Sequence, residues 1–367
     1  MQPSTPEAVL EHVPAQADVV VAMANGEPVA LLDVLEAEHR RLDGVRIHQM
    51  HALHERPHHR GECGDHLRHV SYFLSAVTRP PYWAGHIDLV PNHFSEMPQL
   101  LRERTRCSVV LAAASMPDAH GYFTLGTNAE YVASLIGRVP FFLEANPQMP
   151  RTFGLNQIHV SQVAGWCESP RPLVEVPRVA PNQLDRRIAA AVVEHIPDRA
   201  TLQVGIGGIA DAILASLTEH RDLGIHTELL SDGIIDLVDR GVVTGTHKQL
   251  RRHKVVATFA LGTQRLYDWM HDNGAVEMLP VDYVNDPRTI GRERDFVSIN
   301  ATTEVDLMGQ CASETMAGRY WSSSGGQADF ARGAMYSEGG ARRSSSCAPP
   351  RRRDGAGSGP ASPRAPW

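Results

Sequence analysis

The chain has 367 residues, enough for two domains of ordinary size. It is 42% hydrophobic and 21% charged with a formal net charge of -7, which argues against a general nucleic-acid binder. No apolar run approaches the roughly 18 residues of a membrane span, and MQPSTPEAVLEHVP lacks a basic start followed by an apolar stretch, so neither a membrane partner nor a signal peptide is expected.

Along the chain, strand and helix patterns alternate. DVVVAM (18–23) is a Val-rich strand run closed by Asn25-Gly26, and VALLDVLEAEHRRL then spaces its apolar residues as a helix does. From His48 to His69 the chain is crowded with histidine, including His58, His59, His66 and His69, with Cys63 among them. That density raises zinc binding. The spacing fits no usual ligand pattern, however, and arginines and acids are mixed in, so the stretch reads as a solvated loop and no metal site is expected. CSVVLAAA (107–114) and VPFFLEAN (139–146) repeat the strand pattern. Arg151, in MPRTFG, offers a bidentate fork to a carboxylate or phosphate.

Prolines break both periodicities in PLVEVPRVAPNQL (172–184), which places a boundary between a domain spanning 1–180 and another spanning 181–340. TLQVGIGG (201–208) then runs a strand into a glycine turn, and IADAILASLTEH continues as a helix. Gly205, Gly207 and Gly208 let the backbone turn tightly and let a ligand approach the N–H groups of the helix start. The plain alternative is an ordinary strand-to-helix turn. A relaxed dinucleotide fingerprint also fits, because Gly205-x-Gly207-x-x-Ala210 precedes Glu228 by about 20 residues. Against it, Glu228 stands inside its strand pattern, GIHTELLSDG, and does not close it. Lys248, Arg251, Arg252, His253 and Lys254 form a basic run before the strand pattern KVVATFALG. Such a run is either a solvated face or a set of contacts for phosphates. A second glycine cluster, Ser324-Gly325-Gly326-Gln327, has no role in a dinucleotide site. Short apolar runs alternating with helices imply open α/β domains with parallel sheets covered on both faces. No internal repeat is evident. The five cysteines are sparse and unpaired in sequence, as in a reduced, cytoplasmic protein.

GIGGIADAI, GIHTELLSDGIIDLVDRGVVTG, LGTQRLYDW, PVDYVNDPRTIG, SINATTEVDLMGQ and SSSGGQADFARGA follow one another in the order seen in the acetyl-CoA hydrolase/transferase family. ANGEP, VPNHFSEMP, PDAHGYFTLG and NPQMPRTFG extend the resemblance into the first half, so that it spans residues 7–340. That family includes 4-hydroxybutyrate CoA-transferases. The resemblance implies two CoA-transferase-type α/β domains with the active site between them. It implies a covalent mechanism in which a glutamate, here Glu228, attacks an acyl-CoA thioester and later carries CoA as a glutamyl thioester. The amide of Asn300 and the backbone N–H groups of Gly325 or Gly326 are then the oxyanion donors. The Gly205–Gly208 turn, Gly325 and Gln327 line the acyl pocket or CoA, and Arg151 and Lys248 are candidate partners for its phosphates. CoA is a co-substrate, no cofactor is held, the partners are acyl-CoA and short carboxylic acids, and a homodimer is the expected assembly. A hydrolase of the same family, a nicotinamide-dinucleotide enzyme and an inactive relic are the alternatives.

After SEGG the sequence changes character. From 341 to 367 it is almost wholly Arg, Ser, Pro, Ala and Gly, without Val, Leu, Ile or Phe. Such a segment buries too little to offset its conformational entropy, and disorder is expected. GC-rich codons encode these residues, so the tail reads as out of frame and the second domain as incomplete.

Overall fold

The computed structural model describes residues 2–302 and 304–339. The tail from 341 onward, with Cys347, lies outside the described residues. The first half builds a seven-stranded sheet from β1 (Asp18–Val21), β2 (Val45–Gln49), β3 (Leu67–Ser71), β4 (Ile87–Leu89), β5 (Cys107–Ala114), β6 (Phe141–Ala145) and β7 (Val163–Glu168). Its order is β7-β6-β5-β1-β2-β3-β4, and every pairing is parallel.

Alternation along β1 explains why the strand is apolar throughout. Val19 and Val21 face one way, onto Leu31, Leu32 and Leu35 of the helix Val29–Ala37. Val20 faces the other way, into the larger core with Phe94, Leu101 and Tyr131. Both faces are covered, so period-2 alternation yields no polar side. Leu31, Leu32 and Leu35 are fully buried, each stabilising the fold by about 1.5–3 kcal/mol. Cutting Leu32 back to alanine would cost about 2–5 kcal/mol.

The second half builds β8 (Thr201–Val204), β9 (Gly224–Leu230), β10 (Val255–Ala260), β11 (Val276–Met278) and β12 (Phe296–Ile299) into a parallel sheet ordered β12-β8-β9-β10-β11. The two-residue strand Phe153–Gly154, from the first half, completes its edge beside β11. Gly154, at φ 131°, brings its backbone so close to Met278 that a β-carbon would overlap the Met278 carbonyl. The division at 180 is therefore not clean in space: the earlier segment lends a strand to the later sheet. The segment 169–182 carries neither helix nor strand. The chain resumes order at Asn182, whose side chain accepts from the N–H of Leu184 and Asp185 while Asp185 accepts from the Asn182 N–H. This reciprocal cap fixes the start of the helix Gln183–Val193.

Both sheets have a point where strand order reverses, between β1 and β5 in the first and between β8 and β12 in the second. Ligands of open α/β sheets bind beyond the carboxyl ends of strands at such points. The Gly205–Gly208 turn follows β8 and Asn300 follows β12, so both stand at the second reversal. No described helix is long and apolar enough to cross a membrane.

Candidate active site

Glu228 is the fifth of seven residues in β9. Its neighbours His226 and Thr227 are fully buried and anchor the strand. His226 Nε2 bonds the Val284 carbonyl at 2.7 Å, and Thr227 Oγ1 donates to the Val204 carbonyl at 3.1 Å. The strand is thus clamped by the two residues just before the glutamate. Asn285, directly after the short helix Val281–Val284, donates from Nδ2 to Glu228 Oε2 at 2.6 Å. Burial pushes the Glu228 carboxyl up to about 7; the Asn285 hydrogen bond opposes this and the Asp329 charge adds to it.

The second glycine cluster closes over this carboxylate. Gly325 takes the left-handed backbone, φ 53°, and Gly326 opens the helix Gln327–Tyr336. A β-carbon on Gly326 would overlap both Glu228 Oε2 and Asn285 Nδ2. Only glycine fits between them. The same cluster docks on the first half of the chain. The Phe94 N–H donates to the Gly325 carbonyl at 3.1 Å, and Ser324 Oγ donates to the Asn92 carbonyl at 2.9 Å. Asp329 accepts from the Ser95 N–H at 2.9 Å and from Ser95 Oγ at 2.8 Å. Glu228 therefore sits where the loop 322–327 joins VPNHFSEMP to the second sheet.

The other residues singled out from the sequence divide. Gly205 and Gly207 have open space where a β-carbon would stand, and Gly207 has φ 110°, so the turn needs glycine and leaves its backbone approachable. Val204, just before the turn, also receives the Thr227 hydroxyl, which ties the turn to the residue preceding Glu228. Asn300 is near the turn, but its amide is engaged otherwise. Nδ2 donates to Ser298 Oγ at 2.8 Å and to Gln203 Oε1 at 3.3 Å. No hydrogen bond joins it to Glu228 among the described residues.

Lys248 needs a correction. It is only 2% exposed, and its ammonium donates to the carbonyls of Ile225 and Lys254 at 2.8 and 3.0 Å. Burial brings its pKa down to about 8. This lysine ties β9 to the approach of β10 and presents nothing to a phosphate at the surface. Arg151 is held at 2.6 Å by Asp118 and donates to the Tyr122 carbonyl at 3.0 Å, so a ligand phosphate would have to compete with a carboxylate.

Two features escaped sequence reading. Asn285 is one; the only signal was its place in the PVDYVNDPRTIG motif. The other is the histidine-rich stretch, which is not the solvated loop expected. His58, His59 and His69 are each 1% exposed. The loop folds inward because His58 and Arg56 are held by carboxylates of another segment, the buried Glu27 and the part-buried Glu36.

Two family models match parts of the chain on either side of 195–261. The acetyl-CoA hydrolase/transferase N-terminal domain matches residues 3–194, and the C-terminal domain of the same family matches residues 262–358. The chain is 43% identical over 318 residues to a succinyl-CoA:cyclohexane-1-carboxylate CoA transferase of Geobacter metallireducens, covering 86% of this chain and 72% of that protein. It is 38% identical over 338 residues to a 4-hydroxybutyrate coenzyme A transferase of Clostridium kluyveri, covering 92% and 79%. The crystal structure of RipA from Yersinia pestis superposes with a TM-score of 0.87 at 35% identity, covering 92% of this chain and 80% of that one. A 4-hydroxybutyrate CoA-transferase from Porphyromonas gingivalis gives a TM-score of 0.75 at 33% identity, covering 92% and 79%.

Proposed function

This chain belongs to the acetyl-CoA hydrolase/transferase family, and from that premise we propose that it moves CoA from an acyl-CoA such as acetyl-CoA to a short carboxylic acid such as 4-hydroxybutyrate, through a covalent thioester on Glu228. It is a CoA-transferase-family enzyme with acyl-CoA and carboxylates as its substrate classes. The observation that carries the reading is the setting of Glu228: a part-buried carboxylate, bonded to Asn285 and pressed against Gly326.

That setting suits nucleophilic attack on a thioester. A carboxylate whose pKa is raised to about 7 is more basic than an ordinary glutamate, yet is still substantially ionised at neutral pH. Asn285 holds one oxygen, so the carboxylate is aimed before the substrate arrives. In the proposed sequence Glu228 attacks the thioester carbonyl, the tetrahedral oxyanion collapses, and the C–S bond breaks. The products are an acyl-glutamyl anhydride and the CoA thiolate. The thiolate attacks the glutamyl carbonyl and expels the first acid as its carboxylate, leaving CoA on Glu228. The acceptor carboxylate attacks that thioester and again releases thiolate. The thiolate then takes the acceptor acyl group from the second anhydride, and Glu228 is a free carboxylate once more. No proton or electron is consumed. The Gly326 amide, beside the carboxylate at the start of a ten-residue helix, is the candidate oxyanion donor. Asn300 and the Gly205–Gly208 turn are proposed to line the acyl and CoA side of the same cleft.

The test is a CoA-exchange assay with acetyl-CoA and a panel of short carboxylates, 4-hydroxybutyrate among them. Formation of a new acyl-CoA that depends on the added acid supports transfer. Steady CoA release unaffected by any acid would make the protein a hydrolase. Tight NAD binding with no thioester chemistry would sink both.

A further inference from the structure

We propose that His58, His59 and His69 form a binding site for one divalent transition-metal ion, zinc foremost, which pins the loop between β2 and β3 onto the first sheet. One ring nitrogen from each of the three lies within 4.8 Å of the others, and all three residues are buried. His58 Nε2 and His69 Nδ1 are 3.3 Å apart. Two imidazoles bound at about 2.0–2.1 Å around a tetrahedral ion have their nitrogens at about that separation. The third ring, His59, packs edge-on against both neighbours, with centroids 4.4 and 4.5 Å away.

The hydrogen bonding leaves the cluster unsatisfied in the way a ligand set would be. Both ring nitrogens of His59 are buried with no hydrogen-bond partner. A buried imidazole with neither nitrogen paired is costly unless something occupies it. His58 by contrast is oriented. Its Nδ1 bonds Glu36 Oε1 at 2.5 Å, which points Nε2 at the other two rings. A carboxylate bonded behind an imidazole is the usual support of a metal-binding histidine, since it fixes the tautomer and strengthens the ligand.

The surrounding charge favours a cation. Glu27 is fully buried and Glu36 partly so, and both ion-pair with the buried Arg56. Two carboxylates against one buried guanidinium leave a negative surplus beside the rings. Imidazole nitrogens suit zinc, nickel, copper and iron, and exclude calcium and magnesium as preferred occupants. His59 also lines a cavity of about 350 Å³ with Glu55, Arg60, Pro80 and His86. In the proposal the ion enters from that side. The site makes no use of Glu228, so its test stands apart from the transfer reaction.

The full chain would be stripped with a chelator and desalted. Zinc would then be added and its content measured after gel filtration, for wild type and for His59→Gln, His69→Gln and the exposed control His120→Gln. The expected result is one zinc per wild-type and control chain, falling at least tenfold in occupancy at limiting zinc in the two cluster variants. Zinc should also raise the melting temperature of wild type, and magnesium should not. If the cluster variants fail to fold, the visible spectrum of cobalt-loaded wild type decides, because nitrogen-ligated tetrahedral Co²⁺ has intense bands. Absence of stoichiometric zinc, equal uptake by the cluster variants, or an octahedral cobalt spectrum would each show that the rings only bond one another.

Discussion

Gly326 is pressed against the carboxylate of Glu228 so closely that its α-carbon leaves no room for a side chain. The contact joins the loop 322–327 to the middle of β9, and Asn285 Nδ2 lies in the same gap. Gly326→Ala must therefore displace the carboxylate, the amide or the loop. A misplacement of about 1 Å at a reacting centre costs on the order of 100-fold in rate, and overpacking a filled site costs about 1–3 kcal/mol of stability. We expect CoA exchange to fall by roughly that factor in Gly326→Ala, with a modest loss of melting temperature. Unchanged exchange kinetics would mean that the gap is not part of the site.

Asn285 and Asp329 act on Glu228 in opposite senses. The Asn285 hydrogen bond lowers the glutamate's pKa, and the Asp329 charge raises it. In the proposed mechanism Glu228 attacks as the carboxylate, so the rate should rise with pH through a limb near 7. Asn285→Ala should move that limb to higher pH, and Asp329→Asn should move it to lower pH. The measurement is kcat/KM for CoA exchange against pH in the three proteins. Displacement of both variants in one direction would contradict the pairing.

The same shift predicts a stability change. A carboxyl raised from 4.5 to about 7 keeps its proton in the native state at pH values where the unfolded chain has released it. Stability therefore falls as pH rises from 4.5 to about 7, and the penalty persists above that range. At about 1.36 kcal/mol per unit the shift amounts to about 3 kcal/mol, an upper bound for a residue that is partly exposed. Glu228→Gln should accordingly be more stable than wild type above neutral pH and indistinguishable from it in acid. Chemical denaturation at several pH values would show whether the two curves converge in acid.

The strands were legible because each is a short apolar run with both faces covered, as Val19, Val20 and Val21 illustrate. Glu228 stands out in the sequence only through its neighbours in GIHTELLSDG and the ordered motifs around it. Asn285 was not, because a lone asparagine after a helix reads as a turn residue, and its bond to Glu228 spans 57 positions of sequence. Lys248 misled because a basic run does not reveal which of its members turns inward; Arg252 is exposed while Lys248 is buried. The histidine stretch misled for a related reason. Its burial depends on Glu27 and Glu36, which lie 20–30 residues earlier, beyond any local pattern.

The covalent reading of Glu228 makes the strictest demand. Glu228→Asp keeps the charge but withdraws the carboxylate by one methylene, out of reach of both Asn285 and the thioester. Exchange should fall on the order of 100-fold or more. Glu228→Ala should have no transfer activity and a nearly unchanged far-ultraviolet spectrum, because the carboxylate contributes charge to the site and little packing to the core. A general loss of fold would show up in that spectrum and separate misfolding from missing chemistry. Incubating wild type with acyl-CoA in the absence of acceptor acid should leave CoA on the protein as a thioester. Borohydride should reduce that thioester to an alcohol, releasing CoA thiol and leaving a hydroxyl in place of the carboxylate. The mass change should fall in a peptide containing His226, Thr227 and Glu228, and should be absent from Glu228→Ala. Labelling at another carboxylate, or full exchange activity in Glu228→Ala, would remove Glu228 from the reaction even with the family assignment intact.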